Sequence, residues 1–163
     1  MPRRKSSDPT ADRPHMPGYG ISEDLKGILP WSWARERLES NRNYWIATVR
    51  PDGRPQTMPV WGLWIDNRLF FSTAITSTKA RNLLANPNCT ATTESGVEAV
   101  IVEGRADVIS DKAVLKPVWK AYKDKYDWPM DGEDMFAITP TTVFAFIETA
   151  EQFSTAATRW RFR

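Results

Sequence analysis

The sequence predicts a mainly β protein, a small antiparallel barrel with helices packed against its outside. Six or seven short segments rich in β-branched and aromatic residues follow one another through short connections, and two helical segments interrupt the series. The sequence contains neither a regular strand–helix–strand alternation nor a glycine-rich phosphate-binding loop. These observations favour a barrel and disfavour a doubly wound parallel sheet.

The first thirty of the 163 residues differ from the rest of the chain. They contain five of the twelve prolines and three of the eight glycines, but only one aromatic residue, Tyr19. Such a segment buries too little apolar surface to offset the entropy lost on ordering. We therefore predict a flexible arm over residues 1–30 and a single domain over residues 31–163.

From residue 31 onward, turn and capping signals divide the chain into elements. The first helix is WSWARERLES, and the first two strands meet at the turn Pro51-Asp52-Gly53, where proline presets φ and glycine accepts a positive φ. Asp66-Asn67 forms the next turn. The predicted helices are 31–40, 76–87 and 110–126, and the predicted strands are 44–50, 56–65, 68–73, 89–93, 98–109, 142–148 and 158–162.

The composition excludes several kinds of chemistry. One histidine, His15, and one cysteine, Cys89, rule out a Cys/His zinc site, an intramolecular disulfide and any Ser/His/Asp triad not built on His15. We therefore expect no metal site, and no side chain stands out as catalytic. We also expect a cytoplasmic location and no membrane contact. Because the net charge is only +2, we expect no nucleic-acid binding.

An anion-binding site is predicted where the third strand meets the second helix. A helix start offers free backbone N–H groups and the positive end of the helix dipole, and hydroxyl and cationic side chains crowd this turn. The alternative is ordinary capping by Ser77 or Thr78 with the two cations solvated. The residues concerned are Ser72, Thr73, Ser77, Thr78, Lys79, Arg81 and Asn82.

Two further segments are candidates for ligand contact. Within Gln56-Thr57-Met58-Pro59-Val60-Trp61, Pro59 cannot donate to a strand ladder, so it predicts a protected edge strand, a bulge or a backbone beside a ligand. At the chain end, Arg159 and Trp160 could neutralise and stack on a ligand, or Trp160 could pack in the core with Phe162. Among the tryptophans, we assign Trp45 and Trp119 to the core and Trp61 and Trp160 to the groove.

Taken together, these segments resemble the pyridoxamine 5′-phosphate oxidase-like split-barrel family, and within it the branch of deazaflavin (coenzyme F420)-dependent oxidoreductases. The resemblance covers about residues 33–163. It depends on ATVRPDGRPQTMPVW, LFFSTAITSTKARNLLANP, AVIVEGRADVI, FAITPTTVFAF and the ending TRWRF, which occur in the family's order.

The resemblance implies a fold, a cofactor and an assembly. It implies an antiparallel split β-barrel of the FMN-binding type, a homodimer, and a flavin or deazaflavin in each groove between the subunits. The strand from Gln56 to Val60 would lie along the tricyclic ring, the hydroxyls and cations of residues 72–81 would hold the phosphate or ribityl chain, and Arg159 and Trp160 would approach from the chain end. The implied reaction is hydride transfer to a small planar conjugated acceptor.

The sequence departs from the FMN-binding members at two positions. Those members commonly carry an arginine and a lysine around the second strand for the FMN phosphate, and the matching positions here are Gln56 and Trp61. The PVW pattern resembles the F420 branch, and the C-terminal substrate motif of the oxidases is missing. F420 is therefore the expected cofactor, with FMN as the alternative, and a non-catalytic cofactor carrier is the rival function.

Overall fold

The computed structural model describes residues 8–163 as one eight-stranded antiparallel sheet with four helices. The strands are β1 (Thr10–Asp12), β2 (Asn43–Val49), β3 (Pro55–Ile65), β4 (Arg68–Phe71), β5 (Asn88–Thr92), β6 (Glu98–Ile109), β7 (Met135–Ile147) and β8 (Thr158–Arg161). The helices are α1 (Trp31–Ser40), α2 (Thr78–Ala85), α3 (Lys112–Tyr126) and α4 (Phe153–Ala156).

Six of the strands close into a barrel, which confirms the predicted fold class. The strand order is β7-β4-β3-β2-β5-β6, and β6 returns to pair with β7 along its whole length. Strands β8 and β1 extend the sheet from β7 outside this ring. The β3–β4 connection is the predicted two-residue turn, with positive φ at both Asp66 and Asn67, as a type I′ hairpin requires.

The closure between β6 and β7 depends on one glycine. The register between the two strands shifts between Glu103 and Gly104, and Gly104 pairs with Pro140 there. Proline in a strand is tolerated at such a bulge because no ladder hydrogen bond is needed. A Cβ on Gly104 would overlap the Thr139 carbonyl oxygen and lie 2.8 Å from Ile138 Cγ2. Only glycine therefore allows this close approach of the two backbones.

Two apolar clusters hold the helices on the barrel. The barrel interior is covered by α1 through Trp31 and Leu38 and by α2 through Leu83. Helix α3 packs a second cluster against the outer face of β3, β4 and β7 through Trp119 and Tyr122, which confirms the core placement of Trp119. This helix begins at Lys112, so Pro117 lies inside it.

The described part of the predicted arm makes specific contacts with the C-terminal end of the chain. Strand β1, which the sequence analysis did not predict, pairs with β8. The Arg13 guanidinium donates to the Asp24, Lys26, Thr155 and Ala157 carbonyl oxygens at 2.5–2.8 Å. Local composition could not indicate the contacts with Thr155 and Ala157, because these partners lie 142 and 144 residues away in the sequence. The predicted division of the chain at residue 30 stays a prediction.

Two other elements differ from the prediction by more than two residues. Strand β7 begins at Met135, before the predicted strand at 142–148, because the chain passes Pro140 without leaving the sheet. Helix α4 was not predicted, and it is only four residues long. Helix α1 and strand β6 have the predicted bounds.

Candidate functional site

The first half of β3 has an open edge. Residues 55–61 pair with β2 on one side, whereas β4 pairs only with residues 62–65 on the other. No further strand of the described chain covers this edge. Pro59 lies within the open half, which confirms its expected place at an edge. Side chains here are accessible, with Met58 49% and Trp61 36% exposed, so backbone groups and apolar surface are offered side by side.

The start of α2 lies beside the end of β4 and is organised by Ser77. The Ser77 hydroxyl accepts from the Ala80 N–H at 3.1 Å, so Ser77 is the N-cap, as one alternative from the sequence held. The same hydroxyl lies 3.1 Å from Thr73 Oγ1. Ser72 and Thr73 also line a cavity of about 570 Å³, together with Glu133 and Phe136.

Lys79 is buried at this helix start without a partner. Its exposure is 8%, and within residues 8–163 its ammonium group forms neither an ion pair nor a hydrogen bond. Burial lowers the pKa of Lys79 below its usual value of 10.5. The stem of Lys79 is therefore buried while its ammonium group reaches solvent, and the anion-binding site stays a prediction. Partial burial disfavours the charged form, and an anion beside the ammonium group would offset that cost.

A polar chain of side chains ties α2 to both strands of the open hairpin. Asn82, 3% exposed, donates from Nδ2 to Thr48 Oγ1 at 3.0 Å. Thr48 Oγ1 donates in turn to Gln56 Oε1 at 3.4 Å. Asn82 is thus used as a structural link, and it sets the distance between the helix start and the open half of β3.

A second cavity carries cations that the sequence analysis did not assign to the site. Arg50, Arg54 and Arg81 line about 440 Å³ together with Thr78. Asp52 pairs with Arg54 at 2.8 Å, whereas the Arg50 Nε is buried without a hydrogen-bond partner in the described part of the chain. The signal was present in the sequence, since RPDGR places two arginines on one hairpin turn that folds against α2. Arginine suits phosphate and carboxylate groups because it donates in pairs.

Trp61 is held in place by the C-terminal end of α3. Its ring stacks on Tyr126 at 4.7 Å and 8°, and the Arg42 guanidinium lies 5.6 Å from its centre. Tyr126 is itself fixed by a hydrogen bond that it accepts from the Gly62 N–H at 2.9 Å. Trp61 therefore presents one fixed face next to the open edge.

Three other predicted residues lie along the open half of β3. Thr57 and Pro59 are exposed, and in the β2 register Pro59 stands opposite Trp45. Val60 points into the barrel and is 8% exposed. Trp45 is 44% exposed, which contradicts its assignment to the core, because alternation along β2 turns Tyr44 and Ile46 inward and leaves Trp45 outside.

Arg159 and Trp160 lie apart from the other predicted residues. β8 joins β7 at residues 142–145, whereas β4 joins it at 136–138, roughly 20 Å away at about 3.3 Å per residue. Trp160 is 1% exposed and packs edge-on against Trp31 at 5.4 Å. Its predicted groove role is corrected to a core role, since strand alternation turns Arg159 outward and Trp160 inward.

A comparison with protein-family models matches residues 33–150 to the family described as pyridoxamine 5′-phosphate oxidase. The match covers more than half of the chain and spans the closed barrel. The chain belongs to the pyridoxamine 5′-phosphate oxidase family. This family includes oxidases and reductases, and its split barrel is a fold of flavin- and F420-binding oxidoreductases. Among the curated proteins, none matches the chain.

Several solved structures share the fold of this chain. An F420 reductase is 26% identical over 67% of this chain and 94% of its own, with a TM-score of 0.55. A conserved hypothetical protein from Mycobacterium tuberculosis is 21% identical over 76% of this chain and 88% of its own, with a TM-score of 0.65. A FAD-binding protein from Mesorhizobium loti is 20% identical over 80% of this chain and 94% of its own, with a TM-score of 0.55.

Two structural findings concern other kinds of site. Among residues 8–163, no group of three or more histidine, cysteine, aspartate or glutamate side chains is arranged to hold a metal ion. No helix in the same residues is long and apolar enough to cross a membrane.

Proposed function

We propose that the protein is an oxidoreductase that uses coenzyme F420 to transfer a hydride to a small, planar, conjugated acceptor. The observation that carries this proposal is Lys79 at the start of α2, whose stem is buried and whose ammonium group reaches solvent without a partner among the described residues. The polar chain Asn82–Thr48–Gln56 ties this helix to the open half of β3. A cation in that state suits a phosphate, and an open strand edge suits a flat ring that accepts and donates hydrogen bonds. The 26% identity to an F420 reductase supports the choice of cofactor.

The residues of the chain would bind and orient the cofactor. Lys79, Arg81 and the Ser77 hydroxyl would hold the phosphate, and the backbone from Thr57 to Val60 would lie along the ring. The bound cofactor supplies the hydride. The protein's task is then to fix the ring, exclude water and leave one face open, and Trp61, already stacked on Tyr126, would border that face. No described side chain near the open edge is a clear proton donor, so we assign the accompanying proton to water.

A homodimer with a cofactor groove between the subunits is part of the proposal. Trp45 and Pro59 stand opposite each other on the outer surface of the barrel, and the neighbouring Val49 is 37% exposed. Burying such a surface would stabilise a dimer. A second subunit would also bring its own Arg159 towards the groove, which the separation along β7 prevents within one chain. We place this dimer in the cytoplasm, on the evidence of a single cysteine that forms no disulfide.

FMN is the second candidate cofactor, and a specific observation favours it. The sequence lacks the cations that FMN-binding members carry around the second strand, but the cavity lined by Arg50, Arg54 and Arg81 supplies three guanidinium groups close by. An FMN phosphate could be held there instead. A preparation that is yellow as purified, with the absorption spectrum of flavin, would favour FMN over F420.

The test is cofactor binding followed by turnover. We expect micromolar or tighter binding of coenzyme F420 by the purified full chain, and re-oxidation of the reduced cofactor when an enone, a quinone or a tetrapyrrole is added. Tight binding with no turnover across that panel would favour the carrier function. If neither F420 nor FMN bound at micromolar concentration, the proposed function would be wrong.

A further inference from the structure

The N-terminal strand occupies the guanidinium group of Arg159. Asp12 Oδ1 accepts from Arg159 Nε at 2.7 Å, and Asp12 Oδ2 accepts from Arg159 Nη2 at 2.8 Å. Arg161 Nη2 also lies 3.1 Å from the same Oδ2. These two donors of Arg159 are the parallel pair that binds a carboxylate or phosphate in the bidentate manner. An anionic ligand can therefore use that pair only by replacing Asp12.

The pair is accessible enough to exchange partners. The side chains of Asp12 and Arg159 are 36% and 21% exposed, so solvent and ligands reach the contact. The guanidinium group of Arg159 lowers the pKa of Asp12, which keeps the carboxylate charged near neutral pH. The charge that Arg159 would present to a ligand is thus already compensated within the chain.

The strand is anchored independently of this ion pair. The guanidinium group of Arg13, the next residue, donates to four backbone carbonyl oxygens from two separate segments of the chain. Backbone pairing between β1 and β8 adds to this anchor. Opening the Asp12 contact would therefore leave β1 tethered, with the carboxylate ready to return when the ligand leaves.

We propose that Asp12 is a built-in competitor for Arg159, which an anionic group of the bound cofactor displaces. The inference depends on the proposed function, because it takes Arg159 as a cofactor contact across the subunit groove. In the free protein, Asp12 neutralises Arg159. When the cofactor binds, one of its anionic groups must displace the Asp12 carboxylate from Arg159. Asp12 therefore weakens cofactor binding and sets its affinity.

The experiment compares Asp12→Asn with wild type and with a control. Asp107→Asn removes one carboxylate from an exposed position on β6, where Asp107 forms no ion pair with any other residue of 8–163. We expect Asp12→Asn to lower the Kd of coenzyme F420, or of FMN if that is the cofactor bound, two- to fivefold, the scale of a partly exposed ion pair. Asp107→Asn should leave the Kd within error of wild type. In an Arg159→Gln background, Asp12→Asn should no longer change the Kd.

A second measurement needs no cofactor. Labelling by phenylglyoxal, followed by mass spectrometry, should modify Arg159 severalfold faster in Asp12→Asn than in wild type or Asp107→Asn. Asp12→Glu retains the carboxylate, so it separates loss of the charge from loss of the fold. Its Kd and its labelling rate should stay near those of wild type. If wild type binds cofactor but Asp12→Asn binds it equally or more weakly, Asp12 is not a competitor, and the proposed function stands. If wild type binds neither cofactor, both proposals fail.

Discussion

Replacing Lys79 by methionine should stabilise the free protein and weaken cofactor binding. The side chain is 92% buried and has no partner among the described residues, so in the absence of a ligand its charge opposes folding. Because the ammonium group reaches solvent, its partial burial opposes folding by about 0.5–1 kcal/mol, and methionine keeps the apolar contacts of the stem without the charge. The free energy of unfolding of Lys79→Met should therefore rise by about 0.5–1 kcal/mol, with a Tm higher by about 2–4 °C for each 1 kcal/mol.

The pH dependence has a fixed sign. Because the folded pKa of Lys79 is lowered from 10.5, the unfolded chain binds more protons between that lowered value and 10.5. Wild-type stability should then rise with pH in this window, and the advantage of Lys79→Met should shrink.

Urea unfolding from pH 7 to 10.5 measures both effects, with Lys116→Met, at an exposed position of α3, as the control. In the same variant, the affinity for F420 should fall about tenfold or more, the scale of one charge-assisted hydrogen bond. A Lys79→Met protein that unfolds more easily than wild type, or that binds the cofactor as tightly, would refute the reasoning.

Three further predictions concern the framework of the site. Gly104→Ala should lower the free energy of unfolding by about 1–3 kcal/mol because the added methyl overlaps β7, whereas Gly96→Ala, whose Cβ would meet nothing within 4 Å, should change urea unfolding little. Asn82→Ala should lower the free energy of unfolding by about 1–3 kcal/mol in the same assay, because it leaves the buried Thr48 hydroxyl without its donor. An unchanged free energy would show that Asn82 is not a structural link. Burial raises the pKa of Cys89 from 9.0 to about 12, so a thiol reagent at pH 8 should react only as the protein unfolds, and rapid labelling of the native protein would contradict that burial.

Local signals in the sequence were sufficient for most of the fold. Capping and turn residues act over a few positions, so α1 and β6 could be placed at their observed bounds. Pro59 indicated an edge for the same reason, since the missing N–H is a property of one residue. The side of a strand that faces the core is harder to determine for aromatic residues, and the assignments of Trp45 and Trp160 were both reversed in the structure.

Contacts between distant parts of the chain could not be predicted. Nothing near Asp12 in the sequence indicates that its partner is Arg159, since the two residues meet only because β1 joins β8. The cavity lined by Arg50 and Arg81 likewise requires the β2–β3 turn to fold against α2. The hydroxyl and cationic residues do lie at the start of α2, because they follow one another in the sequence, and their role in binding an anion stays a prediction.

The central claim is that an anionic flavin-type cofactor binds at the start of α2 beside the open half of β3. The most direct test is equilibrium titration of the full chain and its Lys79→Met variant with coenzyme F420 and with FMN. We predict that one of the two cofactors binds wild type with a Kd in the micromolar range or below, and that the Kd rises about tenfold or more in the variant. Equal affinity of both proteins, or no binding to either, would contradict the account.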